Sequence, residues 1–112
     1  MIPGLDKILT YILVNGEPVP CREHKRWRDW INTHERRIAR TDLSETLYVE
    51  TTFPGVDFRL VGDGPPLLFE TEVYEDGKRT SVYRTTTLQR AGMAHTNVVA
   101  RLMAGMEQRS VA

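Results

Sequence analysis

The sequence is poor in cysteine and has no long apolar run. Its 112 residues include a single cysteine, Cys21, so no disulfide can form within the chain, and one cysteine is what a reducing compartment permits. An apolar run such as Tyr11 to Val14 is far too short to cross a bilayer. The first residues lack the basic and then apolar layout of a secretory signal. We therefore expect a cytoplasmic protein with no membrane partner.

The sequence also lacks the short motifs of the commonest enzyme classes. It contains no Gly-x-Ser-x-Gly nucleophile elbow, no Gly-rich phosphate loop and no dinucleotide fingerprint. Cys21 and His24 have the spacing of half a zinc site, but no second pair follows them. We predict a non-enzymatic protein with no catalytic residue, no cofactor and no metal site. The alternative is a metal-dependent hydrolase using Asp57, Glu70 and Glu72, although Glu72 stands where a common metal-nuclease pattern has lysine.

The composition indicates one folded domain. With 40% hydrophobic and 27% charged residues, the chain lies in the ordinary globular range. A chain of this length buries roughly two-thirds of its unfolded surface. We predict a single α+β domain over residues 1–112, with an ordered core from about residue 7 to residue 107.

A β-hairpin centred on Asp76-Gly77 is the strongest local signal. Two β-rich runs, 67–75 and 78–85, flank this dipeptide, and both central residues of a type I′ turn need positive φ. Side chains alternate along a strand. Uninterrupted alternation from this turn predicts one core face, and an opposite face that carries Glu70, Glu72, Tyr74 and Tyr83.

The remaining elements give the order β-α-β-β-β-α. The sequence predicts a strand over 7–14, and a helix from Cys21 to about Arg40 after Pro18-Val19-Pro20. A strand over 43–53, a short strand over 57–61 and a second helix after a Thr86 capping box follow. His34 and His95 fall on the apolar stripes of the helices, where hydrogen-bonded core histidines are the usual finding. We therefore expect an α+β fold, with two helices on one face of a small antiparallel sheet of about four strands.

The bare face of that sheet is the first candidate functional surface. Charge is uneven along a chain with no net charge, since residues 21–40 carry net +4 and residues 42–76 carry net −8. Tyrosine is favoured at interfaces because it supplies contact area at low entropic cost. We predict an acidic, tyrosine-rich protein-binding face made by Tyr48, Glu50, Glu70, Glu72, Tyr74 and Tyr83. The bland interpretation is a solvated face whose glutamates prevent aggregation.

Two alternatives use other surfaces. The helix predicted over 21–40 could bind the phosphates of a nucleic acid through Arg22, Lys25, Arg26, Arg36, Arg37 and Arg40. A homodimer, formed through a free strand edge or through the tyrosine face, also stays open.

A string of short motifs runs from residue 11 to residue 85. It comprises Tyr11-Ile12-Leu13, Pro18-Val19-Pro20, Trp27-x-x-Trp30, Val49-x-Thr51-x-Phe53-x-Gly55-x-Asp57 and Pro65-Pro66-Leu67-Leu68-Phe69-Glu70-Thr71. The string resembles a family of small uncharacterised proteins of bacteriophages, prophages and bacterial genomes. Phe58 departs from the family pattern, which has histidine after the aspartate. The resemblance implies a protein that acts in the bacterial host cytoplasm and binds a host protein, for instance as an inhibitor of a defence system.

Overall fold

The structure, a computed structural model, describes residues 9–59 and 62–111. Within these residues it has two helices and six strands. In chain order they are β1 (Tyr11–Val14), β2 (Glu17–Pro20), α1 (His24–Thr33), β3 (Arg37–Asp42), β4 (Leu47–Thr52), β5 (Phe69–Glu75), β6 (Lys78–Thr85) and α2 (Leu88–Val111). Strands β1 and β2 form one antiparallel pair, and β3-β4-β5-β6 form an antiparallel sheet in that order. The predicted α+β class is confirmed.

The β5–β6 hairpin forms at the predicted turn. Asp76 and Gly77 have φ values of 53° and 78°, as a type I′ turn requires, and Glu75 pairs with Lys78. The same local chemistry turns the chain between β1 and β2, where Asn15 and Gly16 have φ values of 52° and 81°. Both turns follow from residues that tolerate positive φ at little steric cost.

Tyr83 does not lie on the predicted face. Regular alternation would set Thr80 opposite Val73, but Val73 pairs with Ser81, because a register shift follows the Tyr74–Arg79 pair. One extra residue in a strand turns every later side chain to the other face. The bulge therefore sends Tyr83 to the side covered by α2 and brings Arg84 opposite Glu70.

The helix predicted over 21–40 is also wrong in its second half. Helix α1 ends at Thr33, and His34 already has extended backbone, with φ −115° and ψ 145°. Residues 37–42 form the edge strand β3, which pairs with β4. The position of Ile38 is compatible with a helix and with a strand, because its side chain would reach the same core from either one. Pairing with β4 decides between them by satisfying the backbone of both strands.

The first half of the chain differs from the prediction in smaller ways. Pro18 and Pro20 lie within β2, on a two-stranded ribbon where a missing N–H is tolerated. The first strand begins at Tyr11, and positions 7 and 8 of the predicted strand lie outside the described residues. No strand forms over 57–59, and positions 60 and 61 also lie outside the described residues.

The core lies between the sheet and α2, with α1 and β1 closing one end. One cluster joins Leu47, Val49 and Val73 of the sheet to Val98 of α2. A second cluster of Phe53, Leu68, Phe69 and Ala91 packs against Trp30 of α1. Helix α2 begins after Thr87, whose Oγ1 accepts the N–H of Arg90 at 3.1 Å, one residue beyond the predicted cap.

A hydrogen-bonded chain of polar side chains crosses this core. His95, which is 7% exposed, bonds Thr41 Oγ1 through Nε2 and Thr51 Oγ1 through Nδ1, each at 2.9 Å. Thr51 also bonds Thr71, with 2.7 Å between the two hydroxyl oxygens. Burial lowers the pKa of His95 below its ordinary value. His95 is thus the hydrogen-bonded core histidine that the sequence indicated.

His34 differs from His95, because it is exposed and stacks on Trp30 with 4.8 Å between ring centroids.

Neither helix in the described part of the chain is long and apolar enough to cross a membrane.

Candidate functional site

The face of the four-stranded sheet turned away from α2 carries a patterned set of side chains, which we name the open face. The strand register arranges them in three rows that cross the sheet from β3 to β6. The rows are Asp42-Tyr48-Tyr74-Arg79, Arg40-Glu50-Glu72-Val82 and Arg37-Thr52-Glu70-Arg84. Five of the six residues predicted for the binding face therefore lie together, and Tyr83 is the exception.

Two tyrosines form the aromatic part of the open face. Tyr48 and Tyr74 are direct cross-strand partners, and their rings stack with centroids 5.0 Å apart and 12° between planes. The guanidinium of Arg40 lies over the Tyr48 ring, 3.9 Å from its centroid. The Tyr74 hydroxyl donates to Glu72 Oε2 at 3.0 Å, and burial together with this hydrogen bond raises the pKa of Tyr74. Both rings therefore have neighbouring side chains whose contacts favour this orientation.

The central carboxylates of the open face are compensated by arginines from the edge strands. Glu50 and Glu72 stand directly opposite each other, an arrangement that is repulsive for unpaired charges. Arg37 Nε lies 3.2 Å from Glu50 Oε2, and Arg79 Nη1 lies 3.1 Å from Glu72 Oε2. The face is thus a paired array of charges rather than the acidic surface that the sequence indicated.

Glu70 is the most enclosed of these carboxylates. Its side chain is 11% exposed, and its Oε2 accepts from Arg84 Nε at 3.3 Å. Arg84 in turn lies over the Phe58 ring, 4.4 Å from its centroid. Sequence reasoning missed Arg84 because the bulge in β6 sets its face, and it missed Arg37 and Arg40 by placing them on a helix.

A polar cleft of about 420 Å³ borders one end of the open face. It lies where the chain leaves α1 and enters β3, and its lining includes the open-face carboxylates Glu50 and Glu70 together with His34, Glu35, Arg36 and Arg37. The volume is within the range of about 300–1,000 Å³ that small-molecule sites occupy. The cleft was not predicted, because the residues that meet there come from three separate segments of the chain, 31–37, 50–54 and residue 70.

Tyr83 lies on the other side of the sheet, beside α2. The Arg101 guanidinium is 5.7 Å from the centroid of its ring, and the two residues line a cavity of about 140 Å³ with Val98 and Leu102. Tyr83 remains 39% exposed. It is therefore a partly packed tyrosine that is separate from the Tyr48–Tyr74 stack.

The six residues predicted to bind nucleic acid do not lie on one helix. Arg22 precedes α1, and Lys25 and Arg26 lie on it, whereas Arg36 follows the helix. Arg37 and Arg40 project from β3 onto the open face, where both contact Glu50. The basic helix that motivated this alternative is thus divided between a helix, a loop and a strand.

The residues predicted for a hydrolase have structural partners. Asp57 is 5% exposed, and its Oδ1 accepts the backbone N–H groups of Arg59 at 2.8 Å and Leu67 at 2.9 Å. Glu70 and Glu72 are paired with arginines, as described above. Within residues 9–59 and 62–111, no group of three His, Cys, Asp or Glu side chains is arranged to hold a metal ion.

Comparison of the chain with protein-family models, curated proteins and solved structures finds no match. The family indicated by the motif string therefore stays a prediction, and function is inferred from the geometry of the open face.

Proposed function

We propose that this chain is a non-enzymatic protein-binding module that contacts a partner protein through its open face. The observation that supports the proposal is the stacked Tyr48–Tyr74 pair on a sheet face that neither helix in the described part of the chain covers. Tyrosines bury large areas at the centres of interfaces and combine an apolar ring with a polar hydroxyl.

The surroundings of the two rings favour binding in a second way. A side chain that is already fixed loses little conformational entropy when a partner covers it, a cost of about 0.5–1.5 kcal/mol for each side chain that must be immobilised. The contact of Arg40 with the Tyr48 ring and the hydrogen bond from Tyr74 to Glu72 favour the observed orientation of the two rings before a partner binds. The paired charges around the two rings form a polar rim whose groups already have partners. A polar rim around an aromatic centre is common in protein interfaces.

The cellular setting is part of the proposal. The motif string resembles small proteins of bacteriophages and prophages, so the expected partner is a protein of the bacterial host, met in the host cytoplasm. Inhibition of a host defence protein is one activity that requires only binding, and it fits a chain for which the sequence predicts no catalytic residue.

The test is a pull-down of the tagged protein from a bacterial lysate, with and without nuclease, read by mass spectrometry. The informative variant is Tyr48→Thr with Tyr74→Thr, because threonine keeps the preference for a strand but removes the aromatic surface. Tyr83→Thr is the matched control, since it makes the same change on the side of the sheet that carries α2. Charge reversal at Glu70 or Glu72 is less informative, because both carboxylates are largely enclosed and paired.

The proposal expects one protein in stoichiometric amount that survives nuclease, is lost with the double variant and is retained with Tyr83→Thr. Removal of the cross-strand aromatic pair should lower stability by only about 1 kcal/mol, so a folded double variant is expected, and circular dichroism would verify it. A captured protein whose recovery is unchanged by the double variant would contradict the proposal. Recovery that depends on nucleic acid would direct attention to Arg22, Lys25 and Arg26 instead.

A further inference from the structure

The polar cleft beside the open face contains an arginine that differs from its neighbours. Arg37, Arg40, Arg79 and Arg84 each form an ion pair with an aspartate or glutamate. Arg36 also lines the cleft, but its side chain makes no hydrogen bond or ion pair to any residue in 9–59 or 62–111. It is only partly exposed. Its backbone is fixed, because its carbonyl oxygen accepts the N–H of Phe53 at 2.8 Å.

The acidic side chains of the cleft are already engaged. Glu35 Oε1 accepts the backbone N–H of Arg37 at 2.9 Å, Glu50 contacts the guanidinium of Arg37 at 3.2 Å, and Glu70 contacts that of Arg84 at 3.3 Å. Of the two arginines that line the cleft, Arg37 is paired with Glu50, so the guanidinium open to an incoming group is that of Arg36. A cation that is partly shielded from water has lost part of its hydration, and it gains free energy when an anionic partner replaces those contacts.

The chemistry of the cleft selects among anions. A guanidinium presents N–H donors in a planar fork that matches the two oxygens of a carboxylate. A phosphate carries a charge of about −1.5 to −2 at neutral pH, and it would be repelled by Glu50 and Glu70 in the same lining. A single carboxylate meets less repulsion and still satisfies the fork.

We propose that Arg36 is the anchor for a carboxylate, and that the cleft receives an aspartate or glutamate side chain of the partner protein. This inference rests on the proposed function for the identity of the partner. The cleft adjoins the face that carries the tyrosine stack, since its lining residue Glu50 lies on the same face of β4 as Tyr48. A partner that covers the tyrosines can therefore place an acidic side chain in the cleft.

The test does not require the partner. Isotope-labelled protein is titrated with N-acetyl-glutamate N-methylamide, and the resonances of Arg36 Nε–H and the Thr52 amide are followed by NMR. The proposal predicts saturable shifts at these positions and none with the glutamine analogue. Affinity should fall at least about tenfold in Arg36→Gln, since a hydrogen bond to a charged group is worth that much. The control variant Arg26→Gln removes an exposed arginine of α1 and should leave the affinity unchanged.

Three results would overturn the carboxylate assignment. One is a response that does not saturate or that is spread over the other arginines. Another is undiminished affinity in Arg36→Gln, with Arg36→Lys serving in its place if the glutamine variant does not fold, because lysine keeps the charge but lacks the fork. The third is tighter binding of inorganic phosphate than of the glutamate probe.

Failure of this inference is distinguishable from failure of the proposed function. If a partner is captured through Tyr48 and Tyr74 while the probe does not bind, the binding module stands and the cleft assignment is wrong. If the probe binds through Arg36 and no partner depends on the tyrosines, the cleft is a carboxylate site and the proposed function is wrong.

Discussion

Thr51 connects the polar side chains that cross the core, so its hydroxyl is a sensitive point of the structure. It is 0% exposed, and its Oγ1 bonds both Thr71 Oγ1 at 2.7 Å and His95 Nδ1 at 2.9 Å. Thr51→Val keeps the shape of the side chain and its preference for a strand, but removes both hydrogen bonds. Thr71 and His95 would then each hold a buried polar atom without this partner.

The expected loss in the free energy of unfolding is large for the replacement of one hydroxyl by a methyl group. A buried polar group that loses its partner costs about 1–3 kcal/mol, whereas apolar replacement of both partners can be nearly neutral. Two groups are affected by Thr51→Val, so the free energy of unfolding should fall by roughly 2–4 kcal/mol. The double variant Thr51→Val with Thr71→Val removes one of the two stranded groups. It should recover part of that loss, by about 1 kcal/mol or more.

Equilibrium urea unfolding measures both quantities, provided that the slope of the transition is the same in all variants. Thr52→Val is a suitable control, because the neighbouring threonine projects onto the open face. It should change the free energy of unfolding by no more than about 0.5 kcal/mol. A Thr51→Val protein as stable as the unmodified chain would refute the reasoning. So would a double variant that is less stable than Thr51→Val by the full cost of a second lost group.

Two further predictions test other parts of the structure. Burial lowers the pKa of His95 below its ordinary value of 6.5, so the unfolded chain binds a proton at a higher pH than the folded one. The contribution of neutral His95 to stability is therefore complete above about pH 6.5 and is lost as pH falls toward the lowered pKa. Urea unfolding across this range should show the loss in the unmodified chain and less of it in His95→Gln. Gly55 has φ +84°, and a Cβ there would lie 2.6 Å from Ile31 Cδ1 and 3.1 Å from the Tyr11 carbonyl oxygen, whereas one at Gly77, with φ +78°, would meet nothing within 4 Å. Gly77→Ala should therefore lower the free energy of unfolding by about 1–2 kcal/mol from backbone strain alone, and Gly55→Ala should lower it clearly more. Equal losses by thermal or urea unfolding would contradict the close approach of α1 to Gly55.

The features that could be predicted from the sequence are those set by local chemistry. Asp76-Gly77 specifies its turn because few other dipeptides accept positive φ at both positions. The alternation of β4 and β5 places Tyr48, Glu50, Glu70, Glu72 and Tyr74 on one face, and the structure brings these five together. The role assigned to them stays a prediction.

The features that could not be predicted depend on contacts between distant segments. Strand β3 carries Ile38 at a spacing that also suits a helix, and only pairing with β4 makes it extended. The bulge in β6 shifts the register after the Tyr74–Arg79 pair, and no glycine marks it in the sequence. Because Arg84 and Tyr83 follow the bulge, their faces exchange. Regular alternation alone therefore could not predict that Arg84 pairs with Glu70, or that Tyr83 lies on the other face from the Tyr48–Tyr74 stack.

The central claim is that the tyrosine stack of the open face binds a protein. The most direct measurement is the affinity of the captured partner, by isothermal titration calorimetry, for the unmodified chain, for Tyr48→Thr with Tyr74→Thr, and for Tyr83→Thr. Interface tyrosines at well-packed centres are each worth about 2 kcal/mol or more. We predict a loss of at least about 100-fold in affinity for the double variant and an unchanged affinity for Tyr83→Thr. Equal affinities for all three proteins, each verified as folded, would contradict the account.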